Sequence, residues 1–256
     1  MKFSVATLLV FFSISSPTKA ALSLIDQNSD LTQKRFLFID ARNLDQCLQS
    51  SVESSLCLPA STFKSANKEM PSFYHSSWVL GTLGLDGSED LLIFSDDKHD
   101  RNLVAGVLQL AGQKNIALWQ GDTTLLQVMA GSGKGRGRGI TRQTVYSGPI
   151  RDNQIAMIED LNSLIDRDWK VINVDIQIQE SQILEQSKVI LASANPVEAI
   201  VAFSSRLALG YTQTKVVIDQ YPSGDYSDNK IFQITGLIMI VLSVGIFLSI
   251  ARVSRR

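Results

Sequence analysis

Two segments of the chain repeat the same order of apolar and polar positions. Each begins with a short apolar run, continues into a polar loop, and ends with a helical pattern closed by glycine. The first copy covers residues 91–112 and the second covers residues 189–210, with Ser95 and Ser193 at the ends of the apolar runs. Another apolar run of strand type follows each copy. This pattern predicts two related α/β domains, each with a parallel sheet flanked by helices.

The loop after the first apolar run carries most of the candidate chemistry. In such folds the free N–H groups at the start of a helix face this loop, so ligands bind there. Here it consists of Ser95, Asp96, Asp97, Lys98, His99 and Asp100. Its carboxylates and imidazole could hold a divalent cation, but a solvated loop is favoured, and no cofactor or resident metal is predicted. A serine nucleophile is disfavoured because the chain lacks a Gly-x-Ser-x-Gly elbow there.

The pattern around the two copies sets the domain boundaries. The first domain is predicted over residues 21–131, with strands at 35–40 and 56–58, and residues 21–34 as a lead-in without assigned structure. The second domain is predicted over 149–226, starting with an amphipathic helix at 153–165. Residues 132–148 between them begin with alternating glycine and basic residues, which favours a flexible linker. A weak attraction of this linker to acidic lipid headgroups or to an anionic partner is the alternative.

The two ends of the chain predict export and membrane anchoring. Residues 1–20 have an early lysine, an apolar run and a small-residue cleavage site, as in a secretory signal peptide. Residues 231–251 carry no charge and are long enough, as a helix, to cross a bilayer of about 30 Å. The basic tail 252–256 places the C-terminus in the cytoplasm. With 24 basic and 25 acidic residues, nothing in the overall charge indicates a nucleic-acid partner.

The first domain resembles the rhodanese-like (thiosulfate sulfurtransferase) family. The resemblance rests on Phe-Leu-Phe-Ile-Asp-Ala-Arg at 36–42, Leu-Cys-Leu-Pro at 56–59, and the spacing between them. The family's Gly-His-Ile-Pro-Gly-Ala segment would fall on residues 50–55, where only Val52 keeps its character. The resemblance implies tandem rhodanese-like domains, the second truncated. It also places the family's catalytic cysteine at Ser95 and Ser193, and serine cannot carry a sulfane sulfur.

The chain has two cysteines, Cys47 and Cys57. In an oxidising compartment two neighbouring cysteines indicate a disulfide, and the family fold implies that Cys47 lies on the first helix and Cys57 on the adjoining strand. A redox-active or sulfur-carrying pair and two buried free thiols remain as alternatives.

Together these features predict a single-pass protein of the bacterial inner membrane, with both domains on the periplasmic side. The missing catalytic cysteines favour a catalytically inactive binding or scaffold module that engages an envelope or inner-membrane protein. The alternative is a sulfurtransferase or sulfur-relay enzyme that uses Cys57 or Cys47 in an unusual position.

Overall fold

The computed structural model describes residues 21–29, 31, 35–64, 70–175 and 188–219. The predicted signal peptide and the predicted membrane span at 231–251 lie outside these residues. No helix in the described ranges is both long and apolar enough to cross a bilayer.

The first domain is built on a five-stranded parallel sheet with the strand order β1-β6-β5-β2-β4. Its strands are β1 (Ala21–Ile25), β2 (Leu37–Asp40), β4 (Leu56–Cys57), β5 (Asp90–Phe94) and β6 (Asn115–Trp119). Strand β1 departs from the sequence prediction, which assigns no structure to residues 21–34. It adds to the edge of the sheet by pairing in parallel with β6 over its full length.

Four helices accompany this sheet. They are α1 (Leu44–Gln49), α2 (Phe73–Leu83), α3 (Lys98–Leu110) and α4 (Thr123–Ala130). Each begins after a polar residue whose side chain accepts a hydrogen bond from a free backbone N–H of the first turn, as N-caps do. These caps are Asn43, Ser72, Asp97 and Asp122.

The second domain repeats the first on a smaller scale. Its parallel sheet has the order β8-β11-β10-β9, which matches β1-β6-β5-β2 position by position. The strands are β8 (Ile155–Ala156), β9 (Lys170–Asn173), β10 (Val189–Ala192) and β11 (Thr214–Val217), and the helices are α5 (Leu161–Ile165) and α6 (Pro196–Ala208). The repeated pattern in the sequence therefore corresponds to a repeated topology.

The helix predicted at 153–165 is wrong over most of its length. Ile155 and Ala156 form β8, and only Leu161–Ile165 is α-helical. The apolar residues at helical spacing favoured a helix in the prediction. In the structure, Ile155 and Ala156 instead pair with strand β11. This tertiary pairing outweighs the local periodicity.

Helices α3 and α6, the equivalent helices of the two domains, pack against each other. Gly106 lies so close to α6 that a Cβ atom there would be 2.5 Å from Cγ2 of Ile200. Two polar contacts cross the same interface: the Asn102 amide donates to Oγ of Ser205 (2.6 Å), and the Ser204 hydroxyl donates to the carbonyl of Asn102 (2.7 Å). The apolar residues of the two domains form one continuous core here.

The flexible linker expected at 132–148 is also wrong. Its first residues, β7 (Ser132–Gly133), pair antiparallel with β3 (Ser51–Val52). Further on, the Arg136 N–H donates to the carbonyl of Ser55, and the Arg136 carbonyl accepts from the N–H of Cys57. We call residues 131–139 the glycine strap. It is held in place because its glycines allow the backbone to approach the first domain closely.

Candidate functional site

Ser95, the position at which the resemblance implies a catalytic cysteine, lies at the carboxyl end of β5. Its side chain is buried, and its hydroxyl accepts a hydrogen bond from the N–H of Asp97 (3.2 Å). The Asp97 carboxylate in turn accepts from the N–H of His99 (2.8 Å). Since α3 starts at Lys98, only two residues separate Ser95 from the helix. Within this short connection, the Ser95 hydroxyl and the Asp97 carboxylate accept hydrogen bonds from the backbone N–H groups of Asp97 and His99. These N–H groups are therefore not free to bind a ligand.

Arg42 contacts this loop, and its guanidinium is already paired. Its guanidinium donates two short hydrogen bonds to the buried Asp40 carboxylate (3.0 and 2.7 Å) and one to the Ser50 carbonyl (2.7 Å). The Asp96 carboxylate lies 3.7 Å away on the loop side. The bonds to Asp40 raise the pKa of Arg42 above its ordinary value. The cation therefore serves the fold and offers little attraction to an incoming anion.

The remaining polar side chains of the loop point to separate partners. Nε2 of His99 lies 3.2 Å from the carboxylate of Glu198, across the domain interface. The Asp100 carboxylate pairs with Nζ of Lys64 (2.6 Å). Over the described ranges, no three His, Cys, Asp or Glu side chains come together as metal ligands do. The polar side chains of the predicted ligand loop therefore do not converge on a common point at which they could bind one ligand.

Ser193 occupies the equivalent position in the second domain. Its hydroxyl donates to Oδ1 of Asp175 (2.5 Å), and the N–H of Ala194 donates to Oδ2 of the same carboxylate (2.6 Å). Asn195 completes the motif, since its N–H donates to the Ser193 hydroxyl (2.9 Å) and its side chain caps α6. A carboxylate of the chain itself thus fills the place where an anion would meet the loop.

Cys47 and Cys57 form a disulfide with a Cα–Cα distance of 5.8 Å. Cys47 lies on α1 and Cys57 on β4, as the resemblance implied. Both are buried, and Gly135 of the glycine strap lies directly over them: its N–H donates to the Cys47 carbonyl (2.9 Å), and a Cβ there would be 2.6 Å from Sγ of Cys57. The disulfide is covered by backbone.

An open groove of about 480 Å³ lies beside the covered disulfide. Apolar side chains of α1, of the segment after β4 and of α2 line it together with Cys57, Ser61 and Thr62, and Arg138 of the strap also lines it. This groove is not predicted from the sequence. The available signal was Leu44 and Leu48, which are four residues apart on α1 and both exposed. Their proximity to Arg138 depends on the path of the strap.

Comparison with known proteins gives a fold but no close relative. No family model matches the chain, and no curated protein matches it. Solved structures do match. SseA from Escherichia coli, described as a 3-mercaptopyruvate sulfotransferase with the "rhodanese" fold, is 10% identical with a TM-score of 0.56, covering 73% of this chain and 93% of SseA.

Two further structures agree with this match. YnjE is 11% identical with a TM-score of 0.56, over 79% of this chain. An anaerobic ergothioneine biosynthesis enzyme from Chlorobium limicola, bound to trimethyl histidine, is 10% identical with a TM-score of 0.54, over 72% of this chain. The matched regions span only 60% of YnjE and 61% of the ergothioneine enzyme. At this identity the likeness concerns architecture, and the chain has a rhodanese-like α/β fold.

Proposed function

We propose that this protein is a non-catalytic binding module made of two degenerate rhodanese-like domains. It is anchored in the bacterial inner membrane by residues 231–251, with the folded part in the periplasm and the C-terminus in the cytoplasm. There it engages an envelope or inner-membrane protein as a scaffold. The charge-free stretch 231–251 followed by arginines, and the signal-like residues 1–20, support this placement.

The state of the cysteines is the observation that carries the proposal. Sulfur transfer through a persulfide needs a thiolate, and the only two cysteines of the chain are bonded to each other. Both are buried beneath Gly135, and Cys57 meets the adjoining groove with only 2% of its surface exposed, so an outside sulfur donor has little access to either sulfur. The alternative function, a sulfurtransferase that uses Cys57 or Cys47, requires this disulfide to be reduced and the strap to move.

The two serine loops support the same proposal. Beside the Ser95 loop, Arg42 is paired with Asp40, and Asp96 adds negative charge. At Ser193 the Asp175 carboxylate takes the N–H of Ala194. The negative charge at the Ser95 loop therefore repels an anion such as thiosulfate, and the Ser193 loop has no free N–H group at Ala194 to bind one.

The test uses the full-length chain, exported to an oxidising compartment and purified in a mild non-ionic detergent. Its intact mass is measured with and without reductant and after incubation with thiosulfate, alongside a thiosulfate-to-cyanide transfer assay with an active rhodanese as positive control. We expect the unreduced mass to be lower by two hydrogens, no added sulfur, and no turnover. An added sulfur on Cys47 or Cys57 together with turnover would overturn the proposal.

A further inference from the structure

The glycine strap has two chemically different faces. Its side chains alternate because it is extended, as in a β-strand. The glycines at 131, 133, 135, 137 and 139 are half-buried against the first domain, and the residues between them are exposed. Gly135 contacts the disulfide, and Gly137 contacts Leu44 and Leu48. Lys134, Arg136 and Arg138 occupy the outward positions and are exposed to solvent. In an extended chain, the Cα atoms of successive outward residues are about 6.6 Å apart, since each repeat is two residues.

This row of cations has no carboxylate to neutralise it. Residues 131–150 contain four basic residues and no Asp or Glu. Among the residues that the structure describes, no carboxylate lies within ion-pair distance of Lys134, Arg136 or Arg138. Arg136 is oriented instead by neutral groups, since its guanidinium donates to the Gln143 side chain (3.1 Å) and to the Leu83 carbonyl (3.2 Å). The row therefore attracts anions, although the Glu53 carboxylate lies against the strap near Gly131.

The apolar groove runs beside the strap, on the side where α1 lies. Leu44 and Leu48 form part of its wall, and these residues remain 45% and 39% exposed. Exposed leucines in a concave site beside unpaired cations are typical of a binding surface rather than of ordinary solvent-exposed surface. Gly137 and Arg138 line the groove as well, so the row of cations and the groove form one continuous surface.

We propose that the groove and the row of cations together bind an extended polypeptide segment in which acidic and apolar residues alternate. This rests on the proposed function, since it identifies the kind of partner that the binding module takes. In an extended segment, alternate side chains point to opposite sides at the same repeat as the strap. A segment lying next to the strap thus places its carboxylates beside Lys134, Arg136 and Arg138, and its apolar side chains in the groove between Leu44, Leu48 and Leu83.

The shape of the surface favours a polypeptide over a lipid bilayer. A groove of about 480 Å³ accepts individual side chains, whereas a bilayer presents a broad, flat layer of headgroups. The headgroups of a bilayer would contact mainly the protruding cations, and the groove would stay empty. Binding of vesicles is therefore an outcome that opposes the proposal.

The probe is a short fluorescein-labelled peptide of alternating glutamate and leucine, and the readout is fluorescence anisotropy with the full-length protein in non-ionic detergent. We expect saturable binding that weakens as salt is raised. Two comparison peptides, with lysine replacing glutamate or serine replacing leucine, are expected to bind at least about tenfold more weakly. Equal binding of all three peptides, or no binding of the first, would overturn the proposal.

The matched variants locate the site. Lys134→Gln with Arg138→Gln removes two strap cations and is expected to weaken binding about fivefold or more, at the scale of exposed ion pairs. Lys114→Gln with Arg167→Gln removes the same charge from exposed positions elsewhere and is expected to leave binding unchanged. Equal losses in both variants would mean non-specific attraction and would refute the site.

Vesicles of phosphatidylglycerol and of phosphatidylcholine are added as competitors. Displacement of the peptide by phosphatidylglycerol alone, with loss of vesicle binding in the Lys134→Gln, Arg138→Gln variant, would overturn the choice of a polypeptide partner. The thiosulfate assay reports separately on the proposed function: a protein that transfers no sulfur and binds no peptide refutes only this inference, whereas sulfur transfer refutes the non-catalytic function whatever the peptide does.

Discussion

Gly135 contacts both halves of the disulfide, so the strap accepts no side chain at this position. We predict that Gly135→Ala lowers the free energy of unfolding by about 2 kcal/mol, the usual cost of overpacking a close contact. A Cβ at Gly135 would lie 2.6 Å from Sγ of Cys57, between rigid groups that have nowhere to move. Urea unfolding of the oxidised protein measures the effect.

Gly137 provides the control for this prediction. A Cβ there would meet only Leu48 and Leu44, at 3.8 and 3.9 Å, which is ordinary contact. Its φ lies outside the left-handed region, so Gly137→Ala is expected to be neutral or to stabilise by a few tenths of a kcal/mol through the unfolded chain. Equal losses at both positions would contradict the close packing of the strap on the disulfide.

Tyr146 gives the protein a sensitivity to alkaline pH. Burial, reinforced by the nearby Glu89 carboxylate, raises the pKa of its phenol above the ordinary value. Above pH ~10 the unfolded chain loses the phenolic proton while the folded chain keeps it. This group therefore contributes full stability below pH ~10, and the contribution falls by about 1.4 kcal/mol per pH unit above it.

The comparison with Tyr146→Phe isolates this effect from other groups that titrate in the same range. We expect the variant to be within about 1 kcal/mol of the wild type at neutral pH, because the phenol makes one long hydrogen bond, to Gln113 (3.4 Å). Above pH ~10 the variant is expected to lose stability less steeply. Parallel profiles in urea unfolding would contradict the prediction.

At the scale of elements, helices α3 and α6 approach each other through Gly106. We predict that Gly106→Ala destabilises the protein by about 2 kcal/mol, because the added methyl would meet the Ile200 side chain at 2.5 Å and its carbonyl oxygen at 2.9 Å. In a helix without such a neighbour, the same change stabilises by up to about 1 kcal/mol. The sign measured by urea unfolding therefore decides whether the helices meet at this point.

The sequence predicts best those elements whose apolar pattern and capping residue both lie in one short segment of the chain. The runs ending at Ser95 and Ser193 are uniformly apolar, and a capping residue two positions later starts each helix. Both strand–loop–helix units could therefore be located before the structure was known. The same holds for the cysteine pair, whose two elements the family resemblance supplied.

Other elements exist only because of distant partners. β1 and β8 are ordered by the open edges of β6 and β11, and neither edge is visible in a local window of sequence. Alternating glycines are usual in flexible linkers, but the strap is ordered because its backbone hydrogen-bonds to β3, Ser55 and Cys57 of the first domain. The groove could not be predicted for the same reason, since it requires the strap to pass beside α1.

At the scale of the whole molecule, the disulfide joins α1 to β4, and the strap that leads towards the second domain packs over it. We predict that reduction, or the double change Cys47→Ser with Cys57→Ser, lowers the free energy of unfolding by about 3 kcal/mol, as expected for a short closed loop. Thermal unfolding followed by circular dichroism measures the loss. Reductant is expected to have no effect on the double variant, and an equal shift there would show that it acts elsewhere.

The two domains share one core through α3 and α6, so loss of the disulfide is expected to lower the melting temperature of both domains together. Separate transitions for the two domains would contradict a shared core.

The alternation of the strap also restricts how the length of this segment can change. Removing or adding a single residue between Ser132 and Gly139 would exchange its two faces, because side chains in an extended chain alternate with a period of two. A lysine or arginine would then face the disulfide, and the glycines would face solvent. Insertions and deletions in this segment are therefore compatible with the fold only in pairs of residues.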